Sequence, residues 1–408
     1  MKIKDEFILI TLFVLCLSVP NGVANLFLPA SIASATTDDQ TVFQVLISFQ
    51  TLLTGYFVAI AYVLSKSYRL SVNQMFPETL LALLGILVFS LFSFNAYGYL
   101  SYMLMFLTSQ YLYLYAEQKK GINTLNFFGY GSVAFLPIYC IDFFFSFKQF
   151  GFSDFSSYLF ASNGHSFVSF LFCLIILFYC KSVSSLSFAT KTLYVLAFVF
   201  YFVGGVISGG RMPLMALMLT LLILFRSKFK TILALLIIMA LGLYLSVDKV
   251  NQTVNGILNF DSDDITVWSS LFSRFIFWET SLNIFNDYYI SGAGGLFFNQ
   301  LKNNYGYPFN VFVDPHNEFI FMLVGFGLSG SFISIFIFRS LRKFKTVFYS
   351  SEFRPNNLDL YIFVIYIFLS SLTNANTAKS NIQFLVLLVL NMVFLKLYSN
   401  KSLSSRSD

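Results

Sequence analysis

The amino-acid sequence predicts an all-α integral membrane protein with about 12 transmembrane helices and one long external loop between the ninth and the tenth. Three observations carry that expectation. Hydrophobic residues make up 57% of the 408 positions and charged residues only 11%, whereas a water-soluble domain carries roughly 25% charged residues. Apolar runs recur at lengths suited to a bilayer, which a helix crosses in about 20 residues. The basic residues, finally, fall mainly on one side of the topology those runs define. The 54 Phe and 24 Tyr residues suit lipid-facing helices with aromatic belts at the interfaces.

In chain order the expected spans are residues 7–28, 42–64, 79–95, 97–115, 127–147, 166–180, 192–208, 212–225, 231–247, 319–338, 358–372 and 381–398. Lys2 and Lys4 ahead of the run from Phe7 resemble a signal peptide, and Ala33-Ser34-Ala35 resembles a cleavage site. That tripeptide lies far beyond the first apolar block, so 7–28 is read as a retained span. Only the short turn Phe94–Ala96 separates the third span from the fourth. With the amino terminus cytoplasmic, 19 of the 25 Lys and Arg residues lie on the cytoplasmic side; Lys148, Arg211, Lys249, Arg274, Lys302 and Lys379 lie outside. A wrong count would flip every later loop and scramble this bias, so both termini are expected in the cytoplasm. The chain divides into 1–247 with nine spans, an external loop at 248–317, and 318–408 with three spans and a tail.

The external loop carries Asp261, Asp263, Asp264, Trp268, Arg274, Trp278, Glu279, Asp287 and His316. Loops longer than about 15 residues are usually functional or disordered. Here Phe272, Phe275, Ile276, Glu279, Leu282 and Asn283 recur at steps of three and four, which predicts an amphipathic helix with buried aromatics and a lid or half-domain rather than a linker.

Cys16, Cys140, Cys173 and Cys180 lie in or beside apolar runs and read as small buried hydrophobes. No Cys/His spacing resembles a metal site, and the two histidines, His165 and His316, offer little for one. Arg211 ends the turn Ser208-Gly209-Gly210-Arg211 and precedes Met212-Pro213, a tolerated proline position at a helix start. Backbone amides and a guanidinium at such a place can converge on one phosphate; contact with lipid head groups is the rival reading. Arg274 reads either as an anion ligand or as an exposed charge on a solvated face. His316, in Asp314-Pro315-His316-Asn317-Glu318, sits where the loop enters the tenth span. Its imidazole titrates near neutrality and can accept a proton from a hydroxyl, with Asp314, Asn317 and Glu318 as supporting neighbours. His165 reads as an ordinary loop residue.

Taken together, three segments resemble the O-antigen ligase/polymerase superfamily of membrane glycosyltransferases. Ser208-Gly209-Gly210-Arg211 resembles its short turn of small residues ending in Arg. Residues 274–295 (RFIFWETSLNIFNDYYISGAGG) resemble the stretch that opens with Arg, has Trp four residues on, and closes in a Gly-x-Gly turn. Residues 316–330 (HNEFIFMLVGFGLSG) resemble His-Asn followed by an aliphatic residue and two glycines, here Ile320, Gly327 and Gly330. Gly325 stands where the family often has an acid.

The resemblance implies a GT-C-like helical enzyme without metal or cofactor, acting on undecaprenyl-diphosphate-linked glycans at the periplasmic face of the bacterial inner (plasma) membrane. Arg211 and Arg274 would bind the donor diphosphate, and His316 would act as base. Its partners would be the lipid-linked glycan, the bilayer and, for polymerisation, a chain-length regulator; nucleic acid is not expected. Polymerisation of repeat units into O-antigen or a related surface polysaccharide is the favoured reaction, against ligation to lipid A core or a protein-targeted transfer. A lipid-linked oligosaccharide flippase is the rival from another class. It would be expected to show related halves and ionisable residues within its spans; here the halves show no repeat, and Asp142 is the main exception to charge-free spans.

Overall fold

The computed structural model describes residues 124–151, most of 157–225, 265–290, 292–293, 302–306, most of 317–328, 355–372, and scattered helical positions within 7–18 and 382–390, with Lys230. Among the described residues every regular element is a helix. These are α1 (Thr124–Phe150), α2 (Ala161–Ser182), α3 (Phe188–Ile207), α4 (Arg211–Leu224), α5 (Ile265–Asp287), a single 3-10 turn (Lys302–Tyr305) and α6 (Pro355–Ser371). Phe127–Phe150, Gly164–Lys181 and Phe188–Ile207 are long and apolar enough to cross a bilayer, and Met212–Leu224 and Tyr361–Ser371 are shorter apolar helices. They fall on the expected spans 127–147, 166–180, 192–208, 212–225 and 358–372. The expected spans 42–64, 79–95, 97–115 and 231–247 and the turn at Phe94–Ala96 lie outside the described residues.

The bundle is organised around α2, which packs against α1, α3, α4 and α6 and is buried on nearly every side. Nonpolar residues cover it all round, as a helix without a solvent face requires. By contrast, α3 turns Leu193, Val195, Leu196, Val199, Phe200 and Val203 outward, an apolar stripe suited to lipid. Close approach between helices rests on small residues. A Cβ on Gly204 would run into the Tyr139 hydroxyl, and one on Gly205 would lie 2.6 Å from the Phe170 ring. Near the amino terminus, Phe13 is fully buried and meets Phe127 edge-on at 5.4 Å between centroids.

Several polar groups described inside this apolar bundle are paired, as an environment poor in water favours. Tyr201 Oη donates to the Ser132 carbonyl at 2.6 Å, and Tyr366 Oη donates to the Phe167 carbonyl at 2.8 Å. The carboxylate of Asp142 accepts from Ser157 Oγ at 2.6 Å and from the Leu159 amide at 3.2 Å. Ser157 Oγ in turn accepts from the Phe160 amide at 2.9 Å. The acid flagged within the fifth span therefore ties down the approach to α2.

Contacts along the helices fix which ends lie together. Lys181 Nζ donates to the Leu224 carbonyl at 3.3 Å, so α2 and α4 finish at one end. At the opposite end Ser166 Oγ lies 2.8 Å from Ser208 Oγ. Phe363 pairs with Phe178, and Tyr366 with Phe167, so α6 runs antiparallel to α2 and carries Leu372 toward the Ser166 end. Asn317 Nδ2 donates to the Leu372 carbonyl at 2.9 Å. The turn before α4, the start of α2 and the loop's return at Asn317 thus share one end, as alternating spans require.

The helix expected within 248–317 forms as α5, but it buries a different face from the one expected. Phe277, Thr280, Ser281 and Ile284 are buried on α5, whereas Phe275 is 63% exposed and Leu282 44% exposed. Apolar residues occur on both sides of this helix, so periodicity alone does not choose between them. The small hydroxyl residues Thr280 and Ser281 admit closer packing than Phe275 and Leu282 do, and Ser281 Oγ returns its proton to the Phe277 carbonyl of its own helix.

Candidate functional site

Two glycine turns fall within the motif segments, and the first leads directly into Arg211. The first joins α3 to α4. Gly209 adopts a left-handed φ of 73°, a conformation open to glycine without a Cβ penalty. Gly210 then caps α4, whose first residue is Arg211. The Gly210 amide donates to Ser166 Oγ of α2 at 2.9 Å. Ser166 Oγ lies 2.8 Å from Ser208 Oγ and 2.9 Å from the Gly205 carbonyl. Beside it, His165 Nδ1 sits 3.3 Å from Ser208 Oγ, and the imidazole stacks on Tyr139 with centroids 4.7 Å apart. The Tyr139 hydroxyl reaches Ser169 Oγ at 2.7 Å.

His165 is therefore fully buried in α2, and its reading as an ordinary loop residue is corrected. The expected span began one residue too late to include it. A sequence signal was present: His165, Ser166 and Ser169 place three polar groups within five residues at the start of a long apolar run, and intramembrane polar residues are functional candidates by default.

The second turn follows α5. Gly292 has a φ of 71°, and its amide donates to the Tyr288 carbonyl at 2.7 Å. The next residue crosses to the returning helix, where the Ala293 amide donates to the Val324 carbonyl at 2.7 Å and the Leu328 amide donates to the Tyr289 carbonyl at 2.8 Å. Gly327, with a φ of 56°, interrupts regular helix geometry at this point. A Cβ there would lie 2.8 Å from both the Tyr289 and the Ile290 carbonyl oxygens. The expected span 319–338 is described only in part, as far as Leu328, and its backbone turns left-handed at Gly327. Irregular backbone is tolerated where protein groups satisfy it, and the 288–293 turn supplies them. The turn that closes the second motif and a glycine of the third are in direct contact.

Asn317 starts that returning helix. Its Oδ1 accepts from the Phe319 amide at 2.9 Å and the Ile320 amide at 3.1 Å, an N-cap satisfying donors that helix starts leave open. Glu318, in the first turn, is buried, where the helix dipole favours a negative charge. Gly325 is buried within the same helix. The candidate base His316 immediately precedes the cap, but its own placement and that of Asp314 lie outside the described residues, as does the side chain of Arg211.

Arg274 lies on α5, one turn from Trp278, and is half-buried. Burial lowers its pKa from the usual arginine value, and the guanidinium remains charged. A charge partly withdrawn from water interacts more strongly with an anion than a solvated one does. Further along, Tyr305 Oη donates to Asp287 Oδ2 at 2.5 Å, closing the loop that follows α5. Among the described residues no cluster of three His, Cys, Asp or Glu side chains could hold a metal ion.

Residues 196–335 match the family model described as O-Antigen ligase. The matched segment covers about a third of the chain and contains both glycine turns, Arg211, Arg274 and His316. It supports the O-antigen ligase/polymerase superfamily and, with it, glycosyltransferase-type activity in a membrane protein. No curated protein matches the chain significantly.

Proposed function

We propose that this chain, whose residues 196–335 form an O-antigen ligase-type segment, polymerises oligosaccharide repeat units carried on undecaprenyl diphosphate. It works at the periplasmic face of the bacterial inner membrane, with 12 spans in all and both termini cytoplasmic. One observation carries the reading: the family match contains all three motif segments, 208–211, 274–295 and 316–330.

The chemistry follows from the residue types. The acceptor hydroxyl oxygen attacks the anomeric carbon of the donor sugar, and the bond from that carbon to the diphosphate oxygen breaks. His316 takes the hydroxyl proton, a role worth roughly a hundred- to ten-thousand-fold in rate. The leaving diphosphate gains negative charge, which Arg211 and Arg274 offset in a partly dehydrated site. Direct attack inverts the anomeric centre, and no step requires a metal.

The modest external loop and Gly325 in place of the acid favour polymerase. The description of the matching family favours a second reading, in which the same donor chemistry delivers the finished glycan to lipid A core.

The test is surface-glycan analysis in a deletion strain complemented with wild type or with His316→Ala. Core bearing a single repeat unit, restored to long chains by wild type alone, is the expected result. Bare core with long glycan retained on the polyprenyl carrier identifies a ligase. An unchanged profile in the deletion strain removes the enzyme reading.

A further inference from the structure

We propose that Ser166, with His165 beside it, positions Arg211 for glycosyl transfer; this rests on the function proposed above. Arg211 opens α4 directly after Gly210, and Gly210 has no side chain with which to cap that helix. A hydroxyl from a different helix instead holds the cap residue itself, by accepting the Gly210 amide. Ser166 Oγ receives the Gly210 amide at 2.9 Å and contacts Ser208 Oγ at 2.8 Å, so it holds the turn at both ends.

Ser208 Oγ lies 2.9 Å from the Gly204 carbonyl and 3.0 Å from that of Gly205, which locks the end of α3. His165 Nδ1 meets the same hydroxyl, and its ring is clamped between Tyr139 and Phe143. A Cβ on Gly210 would collide with Ser166, so the turn is seated against this serine without room for a spacer.

His165, Ser166 and Ser208 are all buried, at the same end as the loop's return at Asn317. They set the position of the Arg211 backbone, and through it the origin of the guanidinium. Misplacing a group by about 1 Å can lower a rate by a hundredfold. Loss of one buried hydrogen bond corresponds to about a tenfold change.

The test is a double-mutant cycle on the full-length protein in membranes, with a polyprenyl-diphosphate-linked oligosaccharide as donor. Wild type, Ser166→Ala, Arg211→Lys and the double variant are compared by kcat and donor KM, normalised to folded protein. Ser166→Ala is expected to lower kcat about tenfold with little change in KM. Its effect should largely vanish when Arg211 is already Lys, because coupled residues are non-additive. Equal fold-losses in the two backgrounds overturn the positioning role, since a general loss of structure acts regardless of residue 211. An unchanged kcat in Ser166→Ala also overturns it. Should Ser166→Ala yield no folded protein, Ser208→Ala enters the same cycle with the same criteria. A wild type without transfer removes the proposed function and this inference together; an active wild type with additive losses removes the inference alone.

Discussion

The two glycine turns solve the same problem with different chemistry. The turn before α4 is held by side chains, chiefly the hydroxyls of Ser166 and Ser208. The turn after α5 is joined to the returning helix by backbone, through the Ala293–Val324 and Leu328–Tyr289 bonds. A side-chain tether can be adjusted by a conservative substitution. A backbone tether ignores most side chains but tolerates nothing that separates the two strands of chain. The first suits fine placement of one cation, and the second suits a firm attachment for a whole loop.

The same substitution in each turn tests that contrast most strongly. Gly327→Ala combines a left-handed backbone with collision against two carbonyl oxygens, and is expected to destabilise by about 2–6 kcal/mol. Gly210→Ala keeps a permitted φ of −73° and meets only Ser166, for about 1–3 kcal/mol. Thermal unfolding of the detergent-solubilised variants should rank them in that order; the reverse ranking breaks the comparison.

A smaller effect sharpens it. Asn317→Ala removes the cap of the helix that receives the second turn and should destabilise by about 1 kcal/mol. Asn317→Asp keeps an accepting oxygen for the Phe319 and Ile320 amides but loses the donor to Leu372. Hydrogen exchange at Phe319 and Ile320 should therefore rise in the Ala variant and stay near wild type in the Asp variant.

The smallest effect is expected at Tyr305. Its hydrogen bond to Asp287 raises the hydroxyl pKa to about 12, from an ordinary value near 10. The raised folded value means the contribution is complete below about pH 10 and is lost as pH rises toward 12. Solvent screening keeps it small. Tyr305→Phe should thus match wild-type stability at pH 11.5 or above more closely than at pH 8, as measured by proteolysis of the loop.

Sequence reasoning served the helices well and the contacts between them poorly, for physical reasons. The spans corresponding to α1–α4 and α6 follow from apolar runs, because a helix in lipid must be nonpolar along its length. The cap at Asn317 and the helix after it fell where the loop was expected to end. The meeting of the 288–293 turn with Gly327 left no local trace: it links residues more than thirty apart through backbone atoms that every residue possesses. The buried side of α5 was misassigned because Phe275 and Leu282 are as apolar as the buried Phe277 and Ile284, so the choice of face is made by neighbours. His165 and Ser166 were within reach, since polar residues at the start of an apolar helix stand out. The expected boundary at 166 separated the pair.

The backbone joint at Gly327 bears on how such a protein can diversify. Its two hydrogen bonds make no demand on the identities of Tyr289, Ala293, Val324 or Leu328 beyond the room they occupy. Residues between α5 and the returning helix can therefore be exchanged for others of different chemistry while the segment keeps its anchorage. A scaffold joined in this way separates inheritance of position from inheritance of specificity: two glycines, Gly292 and Gly327, are constrained, and the surface around them is left open to variation.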